Sequence, residues 1–205
     1  MLIGWMDYPA SVETRDAAVI AVFSALIVGS NFALANVPNV KLLDTLVFVS
    51  AYVFGFEVGA SVAVLSEFTW SLVSPWGMAG YITPLLIVGE LLFAFAGSIV
   101  SKLWRVDSKA FSRNNLFFGG ILATCAFLWD FETNLGTALI SFWPNLTLSG
   151  IVVTELLGTP FMLFHEVSDF LLGTFFAPVI ILILPRIVAR RRGGPLTVLR
   201  TEGKN

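Results

Sequence analysis

Residues 17–35 run for 19 positions without a charged side chain. About 20 apolar residues in a helix cross a hydrocarbon core of ~30 Å, so this run has the length and chemistry of a membrane span. The rest of the chain repeats the pattern. Of its 205 residues, 57% are hydrophobic and 13% charged, about half the ~25% charge of a soluble domain. The expected fold is an all-α integral membrane protein, a bundle of six transmembrane helices. Its spans fall near residues 17–35, 42–56, 58–73, 82–104, 116–142 and 161–185. Residues 1–16 read as a polar or interfacial lead-in, 17–186 as the membrane domain, and 187–205 as a basic cytoplasmic tail. The first 16 residues lack a basic stretch followed by an apolar core, so a cleaved signal peptide is not expected.

Residues 42–73 form one apolar run interrupted at Gly55, Glu57 and Gly59. As a single helix it would reach about 48 Å, too long for one crossing without steep tilt. Two short crossings with a tight turn at Glu57 fit better.

Basic residues orient the bundle. Lys102, Arg105, Lys109 and Arg113 precede the fifth span, and Arg186, Arg190, Arg191, Arg192, Arg200 and Lys204 follow the sixth. Both groups belong on the cytoplasmic side, which places both termini there. A five-span alternative, with Lys41 inside and Arg15 outside, scores equally. In the six-span reading, segments 36–41, 74–81 and 143–160 are external. The last holds a short apolar stretch, 151–157, expected to be a re-entrant or interfacial helix. The cell membrane is the expected location, with the chain crossing it several times.

Two patterns inside the spans carry functional information. On the first span, Ala17, Ala21, Ala25, Gly29 and Ala33 recur at every fourth position and so share a helix face. Small side chains let another helix come close, either within the bundle or from a partner. The second pattern is acidic. Asp44, Glu67, Glu90, Asp130, Glu132, Glu155, Glu166 and Asp169 lie in or beside apolar runs. An unpaired charge there costs roughly 2.5–3.5 kcal/mol on insertion scales, so such groups face the bundle interior or a wet cavity. Asp130, Asn134, Thr137 and Ser141 form a polar stripe, and His165 and Asp169 share a face. Two readings stay open: a polar pocket facing outward, or hydrogen bonds that only hold helices together.

Other chemistry is not expected. His165-Glu166-Val167-Ser168-Asp169 has aspartate where a zinc protease needs its second histidine. With one histidine in the chain and no thiolate cluster, no metal site is anticipated. There is no phosphate loop, no dinucleotide fingerprint and no nucleophile elbow, so neither enzymatic activity nor a cofactor is expected. The basic tail directly follows a span and suits anionic lipid headgroups better than nucleic acid.

Four stretches together resemble the S component of energy-coupling factor (ECF) transporters, small six-helix proteins that bind vitamins or related cofactors from outside. They are the Ala17-x3-Ala21-x3-Ala25 strip; the loop Asn36-Val37-Pro38-Asn39-Val40-Lys41-Leu42-Leu43-Asp44; the turn Phe54-Gly55-Phe56-Glu57-Val58-Gly59-Ala60; and Trp129-Asp130-Phe131-Glu132-Thr133-Asn134-Leu135-Gly136. The resemblance covers roughly residues 15–186. It implies a vitamin or cofactor-like small molecule held in the outer half among spans four to six. It also implies docking through Ala17, Ala21, Ala25 and Gly29 onto a transmembrane T component and, through it, two ATPase subunits. The substrate-binding residues expected on this basis are Asn36, Asn39, Lys41, Trp76, Tyr81, Glu90, Asp130, Asn134, Trp143 and His165. Two alternatives come from other classes. One is a stand-alone secondary transporter coupled to protons through Asp130 or Glu90. The other is a membrane enzyme using His165 with Glu166 or Asp169.

Overall fold

The computed structural model describes residues 14–37 and 39–191, with side-chain surroundings as far as 184. The lead-in before Thr14 and most of the basic tail lie outside the described residues. Every regular element among those residues is helical: α1 (Thr14–Ala33), α2 (Leu43–Phe54), α3 (Phe56–Val73), α4 (Thr83–Leu103), α5 (Arg113–Phe142), α6 (Leu148–Leu171) and α7 (Ala177–Arg191). A 3-10 turn, Gly80–Ile82, leads into α4, and a π turn, Leu172–Phe176, joins α6 to α7. Five helical segments are long and apolar enough to cross a membrane, α6 and α7 counting as one; α2 is apolar but short.

The short helix is the centre of the molecule. From Leu43 to Ala51 every residue of α2 is buried, because α1, α3, α4, α5 and α7 all pack around it. A helix apolar on all sides is stable only when enclosed in this way. The α2 and α3 helices meet at Gly55, whose φ of +96° is open to glycine and strained for other residues. The reversal expected at Glu57 therefore falls two residues earlier, and Glu57 sits exposed in the first turn of α3.

Glycines set the spacing of the helices around α2. A Cβ on Gly97 of α4 would meet the Phe48 carbonyl oxygen, and one on Gly59 of α3 would meet Ala51. Both contacts involve α2 backbone or a short side chain fixed to it, which cannot turn aside. Gly97→Ala is therefore expected to lower stability by about 1–3 kcal/mol, the range for overpacking. Thermal denaturation in detergent reads this directly. Gly29→Ala, where the added methyl meets open space, serves as the control.

The segment expected to be a long external loop, 143–160, is mostly helix. Only residues 143–147 connect α5 to α6, and α6 starts at Leu148 behind a Thr147 cap whose hydroxyl accepts from the Gly150 amide at 3.1 Å. Pro160 lies inside α6 rather than ahead of it. In a crowded apolar bundle a proline is tolerated within a helix, since neighbouring helices and Ser/Thr hydroxyls compensate the freed backbone groups. The sixth apolar segment is thus continuous from Leu148 to Leu184, 37 residues. At about 55 Å it outruns a perpendicular crossing, so it tilts or projects beyond the bundle.

Candidate functional site

The five connections between the apolar segments alternate between the two ends of the bundle. Segments 34–42, 74–82 and 143–147 share one end, where the Trp76 Nε1–H donates to the Ala35 carbonyl at 3.1 Å. At the other end the Tyr52 hydroxyl donates to the Trp104 carbonyl at 2.9 Å. The α2 helix has 12 residues, about 18 Å of rise, against a ~30 Å apolar thickness. Its first residues consequently start well inside the bundle. From the end of α1 the chain descends to reach them through the non-helical residues 34–37 and 39–42.

A hollow of about 470 Å³ opens beside that descending segment. It is lined by Asn31 and Leu34 of the α1 end, by Ala35, Val37, Asn39, Val40 and Lys41, by Trp70, Ser74 and Trp76, and by Phe161 of α6. Its size falls within the roughly 300–1,000 Å³ typical of small-molecule sites. Asn31 is 1% exposed, and neither its amide nitrogen nor its oxygen has a hydrogen-bond partner. Asn39 adopts a φ of +51°, a left-handed conformation that asparagine tolerates. Its amide donates to the Phe161 carbonyl at 3.2 Å, tying the segment to α6.

Lys41 ends the segment and belongs to a second feature, a polar cluster in the core. Its ammonium lies 5.3 Å from the centroid of the Trp129 ring and within electrostatic reach of Glu67, Asp44, Glu90 and Asp130. Each carboxylate comes from a different helix: Asp44 from α2, Glu67 from α3, Glu90 from α4 and Asp130 from α5. His165 of α6 stands among them, 2% exposed. Its Nδ1 hydrogen-bonds Asp130 Oδ2 at 2.9 Å; a carboxylate accepts, so Nδ1–H donates. Its Nε2 has no hydrogen-bond partner, yet lies 3.4 Å from Asp44 Oδ2 and 4.0 Å from Asp169 Oδ2. The Trp129 ring meets the imidazole edge-on at 5.4 Å while its Nε1–H donates to the Leu86 carbonyl at 3.3 Å. Ser71 donates to Glu67 Oε1 at 3.1 Å. One oxygen each of Asp44, Glu67 and Glu90, and both of Asp169, are buried without a partner.

Of the residues singled out from sequence, the fold gathers six. Asn39, Lys41 and Trp76 line the hollow, and Lys41, Glu90, Asp130 and His165 meet in the cluster. Four stand elsewhere. Tyr81 and Trp143 are 89% and 77% exposed; Asn36 is exposed and outside the hollow's lining. Asn134 donates to Glu155 Oε2 at 3.2 Å, a link between α5 and α6 set against Gly158. The hollow itself lies between α1, α3 and segment 34–41, with Phe161 as its only contribution from α4–α6. It is therefore displaced from the position among spans four to six implied by the resemblance. On α1, Ala17, Ala21, Ala25 and Gly29 are all exposed, so the small-residue strip does not pack within its own bundle.

Sequence reasoning did not single out Asn31 or Trp70; it met Trp129 and Asp44 only within the stretches that carry the resemblance, Glu67 only among the scattered acids, and Asp169 only as a neighbour of His165 on one helix face. The available signals were short-range: Lys41 and Asp44 are three residues apart, and His165 and Asp169 four. Comparisons of the chain with protein-family models, curated proteins and solved structures returned no match.

Proposed function

We propose that this chain is a six-span, multi-pass protein of the cell membrane that captures a vitamin or cofactor-like small molecule from outside. In this reading it acts as the S component of an ECF-type importer, without chemistry of its own. The observation that carries the capture role is the hollow at the mouth of segment 34–41. Irregular backbone at membrane depth is tolerated only where protein buries it or where it lines a water-filled cavity. Here it lines a cavity, and the buried, partnerless Asn31 amide borders that same space. An unsatisfied buried amide costs about 1–3 kcal/mol; a polar guest molecule or water removes that cost. Trp70 and Trp76 supply broad apolar faces for a flat ring, and Lys41 supplies a cation. The exposed small-residue strip on α1 supports the docking half of the proposal, since it is free to meet a T component that carries two ATPase subunits. With six crossings and both termini on the cytoplasmic side, the hollow faces outward.

Gentle purification followed by native mass spectrometry is expected to find one small molecule retained per chain. Asn31→Leu, which fills the amide's place with an apolar group of similar size, is expected to weaken that molecule at least 10-fold, the loss of one to two hydrogen bonds. Full retention by Asn31→Leu would remove the hollow from the binding role. Reconstitution separates the importer from the proton-coupled alternative: uptake driven by a pH gradient with this chain alone would favour the alternative.

A further inference from the structure

The polar cluster contains a set of donors that capture of an organic solute does not use. From the meeting of two carboxylates and a partnerless imidazole nitrogen, we propose that Asp44, His165 and Asp169 bind one divalent transition-metal ion, with Asp130 fixing the imidazole. One ligand atom from each of the three residues lies within 4.8 Å of the other two. His165 Nε2 is 3.4 Å from an Asp44 oxygen and 4.0 Å from an Asp169 oxygen. Donors around one ion at bond lengths of ~2.0–2.2 Å stand about 3–4 Å apart, so little movement is needed to close them on a metal.

Three further observations point the same way. With Nδ1–H donating to Asp130, a neutral imidazole carries its lone pair on Nε2, toward Asp44 and Asp169. A carboxylate behind a ligating histidine is the usual outer partner in protein metal sites, orienting the ring and raising its basicity. His165 Nε2 and Asp44 Oδ2 face each other at 3.4 Å without a hydrogen bond, and both oxygens of Asp169 are buried with none, which a folded protein rarely leaves uncompensated. Lastly, Asp44, Glu67, Glu90, Asp130 and Asp169 are at most 5% exposed, and among the described residues the cluster contains one permanent cation, Lys41. A divalent ion offsets the negative charge that these carboxylates carry when ionised. One imidazole with two carboxylates suits zinc, cobalt(II), nickel or manganese rather than magnesium or calcium, which prefer all-oxygen shells.

The rival arrangement is a doubly protonated His165 clamped between Asp130 and Asp44, and titration of the metal decides between them. The full chain, purified in detergent and stripped with chelator, is titrated with zinc by calorimetry and with cobalt(II) by visible absorbance. The expected result is one equivalent bound, a cobalt spectrum of nitrogen–oxygen coordination, and a thermal midpoint several degrees higher with metal than without. Asp169→Asn is expected to weaken zinc at least 100-fold, and Asp130→Asn about 10–100-fold, the usual effect of losing an outer partner. Glu132→Gln, elsewhere on α5, is expected to leave the affinity unchanged. Absence of saturable one-to-one binding by the wild-type chain would overturn the site, as would equal affinity in Asp44→Asn and Asp169→Asn. The wild-type titration decides even if a variant fails to fold. It also needs no transported solute, partner or ATPase, so its outcome is separate from that of the importer proposal.

Discussion

Lys41→Met is expected to lower the thermal midpoint of the metal-free protein more than any other single change at the cluster. Methionine keeps most of the lysine stem's volume and its contact with Trp129, so the loss is chiefly one of charge. In the folded chain the ammonium answers Glu67, Asp44, Glu90 and Asp130 together. The ammonium is half-buried and stands beyond 4 Å from every carboxylate among the described residues, so its loss costs less than the about 3–5 kcal/mol of breaking a buried pair. The pH dependence has a definite sign. As pH falls, protons neutralise the carboxylates and the missing cation matters less. The gap between variant and wild type is therefore expected to narrow as pH is lowered from neutrality. A midpoint equal to wild type at pH 7–8 would show that the ammonium does not balance the cluster.

That charge balance was only half visible in the sequence. Acids within apolar runs predict interior polar contacts on energetic grounds alone, and Glu67, Glu90, Asp130 and Asp169 are indeed buried. Their partners are set by the relative depth of helices, which periodicity does not encode. The short α2 is the clearest case. Its apolar run reads as a weak crossing, whereas the depth of its first turn decides where Asp44 meets His165. Pro160 sits inside α6 for a related reason. Its ring ends helices in water, yet inside a bundle the surrounding helices hold α6 together past it. The reversal between α2 and α3 was legible to within two residues, because a positive φ such as that of Gly55 is a local demand that local sequence can answer. Tyr81 and Trp143 were drawn into the expected site by residue type, and the fold leaves both facing outward at the end of the bundle.

Exposure of the α1 strip leads to a second large effect, on assembly rather than stability. Ala21 and Ala25 face away from the bundle, and large apolar neighbours on the same surface, Val22 and Leu26, are 66% and 53% exposed. Both small positions are exposed, so a leucine at either is expected to change stability by no more than about 0.5 kcal/mol. A partner helix resting its backbone on the strip would be pushed away by the added side chain, since close approach is what small residues provide in lipid. Ala21→Leu and Ala25→Leu are therefore each expected to reduce co-purification of a T component and its ATPases, identified by mass spectrometry, at least 10-fold. Retention of the small molecule in the hollow should be unchanged. Gly59 supplies the contrast, because it packs against Ala51 within the chain; Gly59→Leu should disturb folding first and assembly only as a consequence. Were both α1 variants to recover the partners at wild-type yield, the strip would be ordinary lipid-facing surface and docking would have to be sought on another face.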